Sequence, residues 1–228
     1  GRRTRLAASG LNVVRMVLYF IAFNSTTVAN SVIMLYTWPI FASILGWLML
    51  GERVSLRRGV LLLVAFSGVP VMYAGTSLSF QDKDVIGMTA MLASAVIYSV
   101  SVILLKRAKA GGSAFETPFF QNVVGAIVFL PLPILTDVSI SGAQIAWAVG
   151  YGLVVGVGGF TLFFVALHSI PAAVASNMAY AEVVFAVLLS GLVLGEPIGV
   201  SSIVGGVLIV CSLLLSTVWE RRASAAAT

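Results

Sequence analysis

Apolar runs alternate along the chain with short polar or basic connections. Runs of about 20 apolar residues, long enough to cross a bilayer as a helix, cover roughly 6–23, 28–50, 57–76, 85–105, 117–136, 144–167, 172–194 and 199–219. The connections hold the turn formers and most of the charge: NSTT at 24–27, GERVS at 51–55, SLSFQDKD at 77–84, KRAKAGGSAFE at 106–116, TDVSISG at 136–142, HSIP at 168–171 and GEPIG at 195–199. Pro171 and Pro197 suit the first turns of helices, where a missing N–H does no harm. The pattern predicts an all-α membrane bundle of about eight transmembrane helices.

One stretch of this pattern occurs twice. YTWPIFASILGWLMLGE at 36–52 returns as YAEVVFAVLLSGLVLGE at 180–196, an offset of 144 residues without a gap. Eight of the 17 positions are identical, among them Tyr36/Tyr180, Phe41/Phe185, Gly51/Gly195 and Glu52/Glu196. Two buried helices can converge on leucine and alanine, but not readily on Tyr, Phe and a closing Gly-Glu in one register. The stretches read as a weak internal duplication, a feature of secondary transporters.

Composition supports the membrane reading. Of 228 residues, 60% are hydrophobic and 9% charged, against about 25% charged in soluble domains. A water-soluble fold of this size has no means of hiding so much apolar surface. The net charge of +5 sits in short clusters between apolar runs, which fits topology signals and lipid headgroups and not nucleic acid. The single Cys211 excludes an internal disulfide, and no metal-ligand spacing occurs.

Charge also orients the helices. Arg2, Arg3 and Arg5, then Arg53, Arg57 and Arg58, then Lys106, Arg107 and Lys109, then Arg221 and Arg222 fall at alternate helix ends, hence on one side. The other side holds Asp82, Asp84, Asp137 and Glu196, with Lys83 as its one base. Positive charge prefers the cytoplasm, so both termini are expected there. The two copies are five helices apart, an odd number, so they are inverted across the membrane. Helices 1–3 then correspond to helices 6–8, and the counterparts of helices 4 and 5 (residues 85–136) fall, on subtracting 144, at about −59 to −8. The expectation is a ten-helix protein whose first two helices are missing from this chain, with a plain eight-helix protein as the alternative.

WPIFASILGWLMLGE at 38–52 and EVVFAVLLSGLVLGE at 182–196 resemble the EamA domains of the drug/metabolite transporter superfamily. The resemblance covers nearly the whole chain. It implies a partial first repeat of three helices at 1–76, a second repeat of five helices at 85–219 and a cytoplasmic tail at 220–228. It also implies two inverted repeats that move small metabolites, often outward. A frequent Glu-Pro pair of that family appears in the second repeat as Glu182-Val183, without the proline. In the first repeat Pro39 is kept, and Trp38 stands where Glu would be.

Glu182 is the leading site candidate, because an ionisable group near the middle of a membrane helix usually meets a partner or a wet cavity. It is read as binding a cationic or amino group, as carrying a proton, or as a structural acceptor. Arg15, also mid-helix, either snorkels toward the basic side or pairs with Glu182. Tyr36, Trp38, Tyr98 and Tyr180 lie inside helices, where they line a pocket or simply pack. Asn30, Gln121, Asn122 and Asn177 join helices or face the cavity. Pro39 is expected to break the backbone ladder near Leu35 and to act as a hinge or a static kink.

Gly150, Gly152, Gly156, Gly158 and Gly159 suggest close helix packing, with Gly152 and Gly156 as a small-xxx-small pair. Glu52 and Glu196 are read as structural, capping the next helix or binding a loop arginine such as Arg57. The lone His168 lacks the partners of a hydrolase, and no HExxH or GxxxxGK[ST] motif occurs.

The reading is a non-enzymatic secondary transporter in a bacterial inner membrane, without cofactor or metal, using protons if any ion is coupled. It would export a small amino-acid-like, amine or drug-like metabolite by alternating access. A homodimer stays open, and a membrane scaffold or inactive fragment is the alternative.

Overall fold

A computed structural model describes residues 2–52, 55–74, 80–107, 116–131, 140–195 and 198–225. The described residues form helices α1 (Arg2–Ser25), α2 (Val28–Leu35), α3 (Trp38–Leu50), α4 (Leu56–Met72), α5 (Asp82–Arg107) and α6 (Glu116–Phe129). These are followed by α7 (Gly142–Ser169), α8 (Ala172–Ala179), α9 (Ala181–Leu189) and α10 (Val200–Ala225). No strand occurs among them. Six spans are long and apolar enough to cross a membrane, with α2–α3 and α8–α9 each counting as one. The fold is the polytopic helical bundle that hydropathy predicts.

Two expected helices are discontinuous. The run at 28–50 breaks at Tyr36 and Thr37: the Thr37 hydroxyl donates to the Met34 carbonyl at 2.6 Å. Pro39 starts the next helix at its first turn, since its ring leaves no room for a carbonyl four residues back. The run at 172–194 breaks at Tyr180, where no proline stands. There the Tyr180 N–H bonds to the Asn177 carbonyl at 3.2 Å and the Val183 N–H to the Tyr180 carbonyl at 3.2 Å, tight turns of the kind that end helices. Both of the similar stretches thus break at Tyr, 144 residues apart. The LGE segments also close alike, with Gly51 at φ 68° and Gly195 at φ 69°, a left-handed helix end that glycine reaches without strain.

Packing follows small residues. Along one side α5 lies on α1, and along the other α10 lies on α4. At the second crossing a Cβ on Gly205 would collide with the Gly68 carbonyl, and one on Gly68 would lie 2.7 Å from the Gly205 carbonyl. Ser212 donates to the Leu61 carbonyl at 2.5 Å across the same pair. Serines of α5 do similar work: Ser94 bonds to the Arg15 carbonyl at 3.1 Å and Ser99 to the Trp38 carbonyl at 2.8 Å. In lipid such bonds join helices that have no hydrophobic reason to associate.

The glycine stripe of α7 is corrected by the structure. Nothing lies within 4 Å of a Cβ built on Gly150 or Gly152, and Gly156 meets only Asn122. Instead Gly152–Gly159 widens into a π-helix, and Asn122 of α6 donates to the Gly156 carbonyl at 3.1 Å. Pro171 is likewise an N-cap in extended backbone and not a first-turn residue; Pro197 and Glu196 lie outside the described residues.

Candidate functional site

The two helix breaks meet inside the bundle. The Tyr180 hydroxyl donates to the Tyr36 carbonyl at 3.0 Å, and the two rings lie 6.0 Å apart. Tyr180 is fully buried and shares a core with Leu62, Val69, Met72, Val183 and Ile209. Its bond fills a carbonyl that the break would otherwise leave open in an apolar interior. Glu182 follows immediately, in the first turn of α9, where the helix dipole favours a carboxylate. The Tyr36 hydroxyl hydrogen-bonds to it.

A second group forms around Tyr98 of α5. Its ring carries the Arg15 guanidinium at 4.7 Å and the Trp38 ring edge-on at 4.9 Å. Trp38 is only 5% exposed, held by Ala42, Ala95, Tyr98 and Phe163. Arg15 donates from Nε to Asn12 Oδ1 at 3.0 Å and contacts the Met16 sulfur at 3.3 Å. The expectation that Arg15 either snorkels or pairs with Glu182 is therefore corrected: the Tyr98 ring and the Asn12 amide one turn earlier hold the guanidinium inside. Glu182 is within electrostatic range of Tyr19, Tyr36 and Tyr98, and Arg15 of Tyr19 and Tyr98.

The structure pairs Arg15 with the Tyr98 ring and Tyr36 with Glu182, whose side chain is exposed. Trp38 and Tyr180 are buried in the cores beside these pairs, and Pro39 is fully buried at the start of α3. Tyr19 was missed by sequence reading. The available signal was its place one helical turn after Arg15, on the same face. Of the polar candidates, Asn30 is buried and bonds to Thr26 Oγ1 at 3.0 Å. The buried Asn177 Oδ1 has no hydrogen-bond partner among the described residues.

A different arrangement occupies the end where Glu52, Arg58, Lys106 and His168 surround a cavity of about 410 Å³. Lys106 Nζ lies 2.6 Å from Glu52 Oε1 and donates to the Ile170 carbonyl at 2.6 Å. The other oxygen, Glu52 Oε2, accepts the Ala172 N–H at 2.7 Å. Glu52 is structural as expected, and it caps a helix, but that helix is the distant α8 and its ionic partner is Lys106 and not Arg57. Arg57 instead stacks on Trp219 at 4.6 Å. The reason is geometric: the left-handed turn at Gly51 carries Glu52 back toward α5 and α8, away from the next helix.

Apolar spans long enough to cross a bilayer, two of them discontinuous, define a polytopic membrane protein. Residues 5–74 and 85–218 match the EamA-like transporter family, and the chain belongs to that family. It is similar to an uncharacterized transporter of Archaeoglobus fulgidus, 26% identical over 214 residues that span 94% of this chain and 76% of that one. It is also similar to an S-adenosylmethionine uptake transporter of Rickettsia prowazekii, at 23% identity over 93% of this chain and 73% of the relative. A crystal structure at 21% identity superposes with a TM-score of 0.85, covering 98% of this chain and 78% of that one, which supports the fold alone. The chain is an integral membrane transporter of a small molecule.

Proposed function

We propose that this transporter works by alternating access between two inverted repeats, carrying its substrate at the Arg15–Tyr98–Glu182 neighbourhood. The observation that carries the reading is the meeting of the two helix breaks at Tyr36 and Tyr180, residues at equivalent repeat positions. A residue touches its own counterpart only near a two-fold axis. Other contacts recur under the same shift. The Gly68–Gly205 crossing has Ser212–Leu61 as its image, since 68 + 144 is 212 and 61 + 144 is 205. The Trp38–Phe163 ring contact has Glu182 and Tyr19 as its image, and those two lie within electrostatic range. Broken helices at such an axis are the usual frame of a transport site, and the breaks, with Pro39 at one of them, serve as hinges.

The bare side of the bundle also fits the repeat. Ala8 and Ala22, fully buried beneath α5, correspond to Gly152 and Ala166, which are exposed, as is Glu182 itself. The direction we propose is export of an amino-acid-like, amine or drug-like metabolite from the cytoplasm, with both termini cytoplasmic and protons as coupling ion.

Expression of the full gene product in bacteria stripped of their own exporters tests this. Toxic amino acids, amines and nucleobase analogues serve as challenges, with Glu182→Gln alongside. Resistance that vanishes in the variant at equal membrane abundance supports the proposal. Sensitisation in place of resistance reverses the direction to uptake. Identical behaviour of variant and wild type overturns the role of Glu182.

A further inference from the structure

Two hollows of different chemistry lie at the end of the bundle that carries Glu52. The first is the polar cavity of about 410 Å³ around the Glu52–Lys106 pair. Among its described lining residues Glu52 is the one carboxylate, set against Arg58 and Lys106, and Lys106 neutralises it in contact. His168 lines the same cavity with Nδ1 held by the Phe164 carbonyl at 2.6 Å, which leaves its other ring nitrogen for a ligand. The second hollow, of about 330 Å³, lies between α3 and α4. Its walls are Ile40, Ile44, Trp47, Gly59, Leu62 and Leu63, and its polar residue, Ser43, donates its hydroxyl to the Pro39 carbonyl at 2.8 Å.

The two hollows share α4. Arg58 borders the first, and the next residue, Gly59, borders the second. Leu62 lies one turn on from Arg58, on the same face. From there the apolar groove follows α3 from Trp47 to Ile40, about 10 Å. Trp47 and Trp219 are exposed at this end, and the Arg57 guanidinium stacks on Trp219 at 4.6 Å, an arrangement that suits the headgroup level of a bilayer. Arg57 and Arg58 stand in the first turn of α4 with no acidic residue beside them, where the helix dipole disfavours cations. An anion at this end relieves that conflict, and arginine can grip a phosphate through two N–H groups at once.

We infer that the two hollows together hold one anionic phospholipid, its phosphate at Arg58 and His168 and one acyl chain in the groove between α3 and α4. A basic pocket beside an apolar groove fits a molecule that has both ends, whereas a free phosphate leaves the groove unfilled. The lipid then joins α3 to α4, which pack little against each other directly. The inference requires only that the protein sits in a membrane and is independent of the transport reading.

The test uses the full-length gene product, stripped of lipid in detergent. Dioleoyl phosphatidylglycerol, dioleoyl phosphatidylcholine and glycerol 3-phosphate are added in turn, with thermal unfolding and native mass spectrometry as readouts. The expected result is one retained phosphatidylglycerol and a melting temperature higher by about 5 °C, a smaller shift with phosphatidylcholine and none with glycerol 3-phosphate. A Cβ on Gly59 meets nothing within 4 Å, so Gly59→Phe fills the groove without a clash at the helix. It should melt no lower than the unaltered protein in the absence of lipid, and lose the phosphatidylglycerol shift. Arg58→Gln should lower that shift to the phosphatidylcholine level. No shift from either lipid, or equal shifts from both, on the unaltered protein overturns the inference. A full shift from glycerol 3-phosphate alone overturns it in favour of a soluble-anion site, and a Gly59→Phe protein that keeps the full shift overturns it as well. The lipid comparison on the unaltered protein decides the matter even where a variant fails to fold.

Discussion

Two places in this protein hold opposite charges against apolar surroundings, and they are built differently. At the Glu52 end the carboxylate and Lys106 touch, and each also bonds to the backbone of the 170–172 turn. Both side chains are mostly covered, at 19% and 13% exposure. At the centre, Arg15 and Glu182 share neighbours but not a bond. A charge in mid-membrane costs about 3 kcal/mol on insertion scales, so leaving two of opposite sign apart is wasteful as architecture. The closed group is a clasp that ties α3, α5 and α8 together. On the proposed reading, the open one is where substrate binds.

Four changes would break or sharpen this contrast. Glu182→Gln should have the largest effect, cutting transport by two orders of magnitude or about 3 kcal/mol, with the melting temperature in detergent unmoved. Lys106→Met should do the opposite: removing one partner of a largely covered pair costs about 2–3 kcal/mol, below the fully buried range because some exposure remains. A melting temperature several degrees lower, with residual transport in the surviving protein, is the expected outcome; an unchanged melt would deny the clasp. Asn12→Asp should turn the open site toward the closed kind by giving Arg15 an ionic partner. Transport should fall about tenfold while the melt rises slightly, and a lower melt would show that Arg15 was already neutralised. Tyr36→Phe removes one hydroxyl from Glu182 and leaves the Tyr36 carbonyl for Tyr180. Loss of one such bond is about 1 kcal/mol, read as a roughly fivefold rise in the half-saturating concentration.

The repeats draw the same lesson on a larger scale. Ala22 on α1 is sealed by α5, whereas its counterpart Ala166 on α7 is open. Sequence identity between the two stretches lies in 36–52 and 180–196, whose first residues, Tyr36 and Tyr180, touch.

What the sequence determined by itself is the solvent and the order of the helices. Lipid demands long apolar runs, so the helical segments and their order were legible from hydropathy. Glu182 stood out as well, as a lone carboxylate in an apolar run. Of the two breaks, Pro39 marked the one at Tyr36 and Thr37, and nothing marked the one at Tyr180. The bilayer selects apolar side chains whether or not the backbone ladder continues, so the run through Tyr180 carries no mark of its interruption. That break stands because a hydroxyl from one repeat meets a carbonyl of the other, 144 residues away. Partner choice was hidden for the same reason. Glu52 with Lys106, Arg15 over Tyr98 and Gly68 against Gly205 are contacts between distant helices, and local spacing has no access to distances that only helix packing creates.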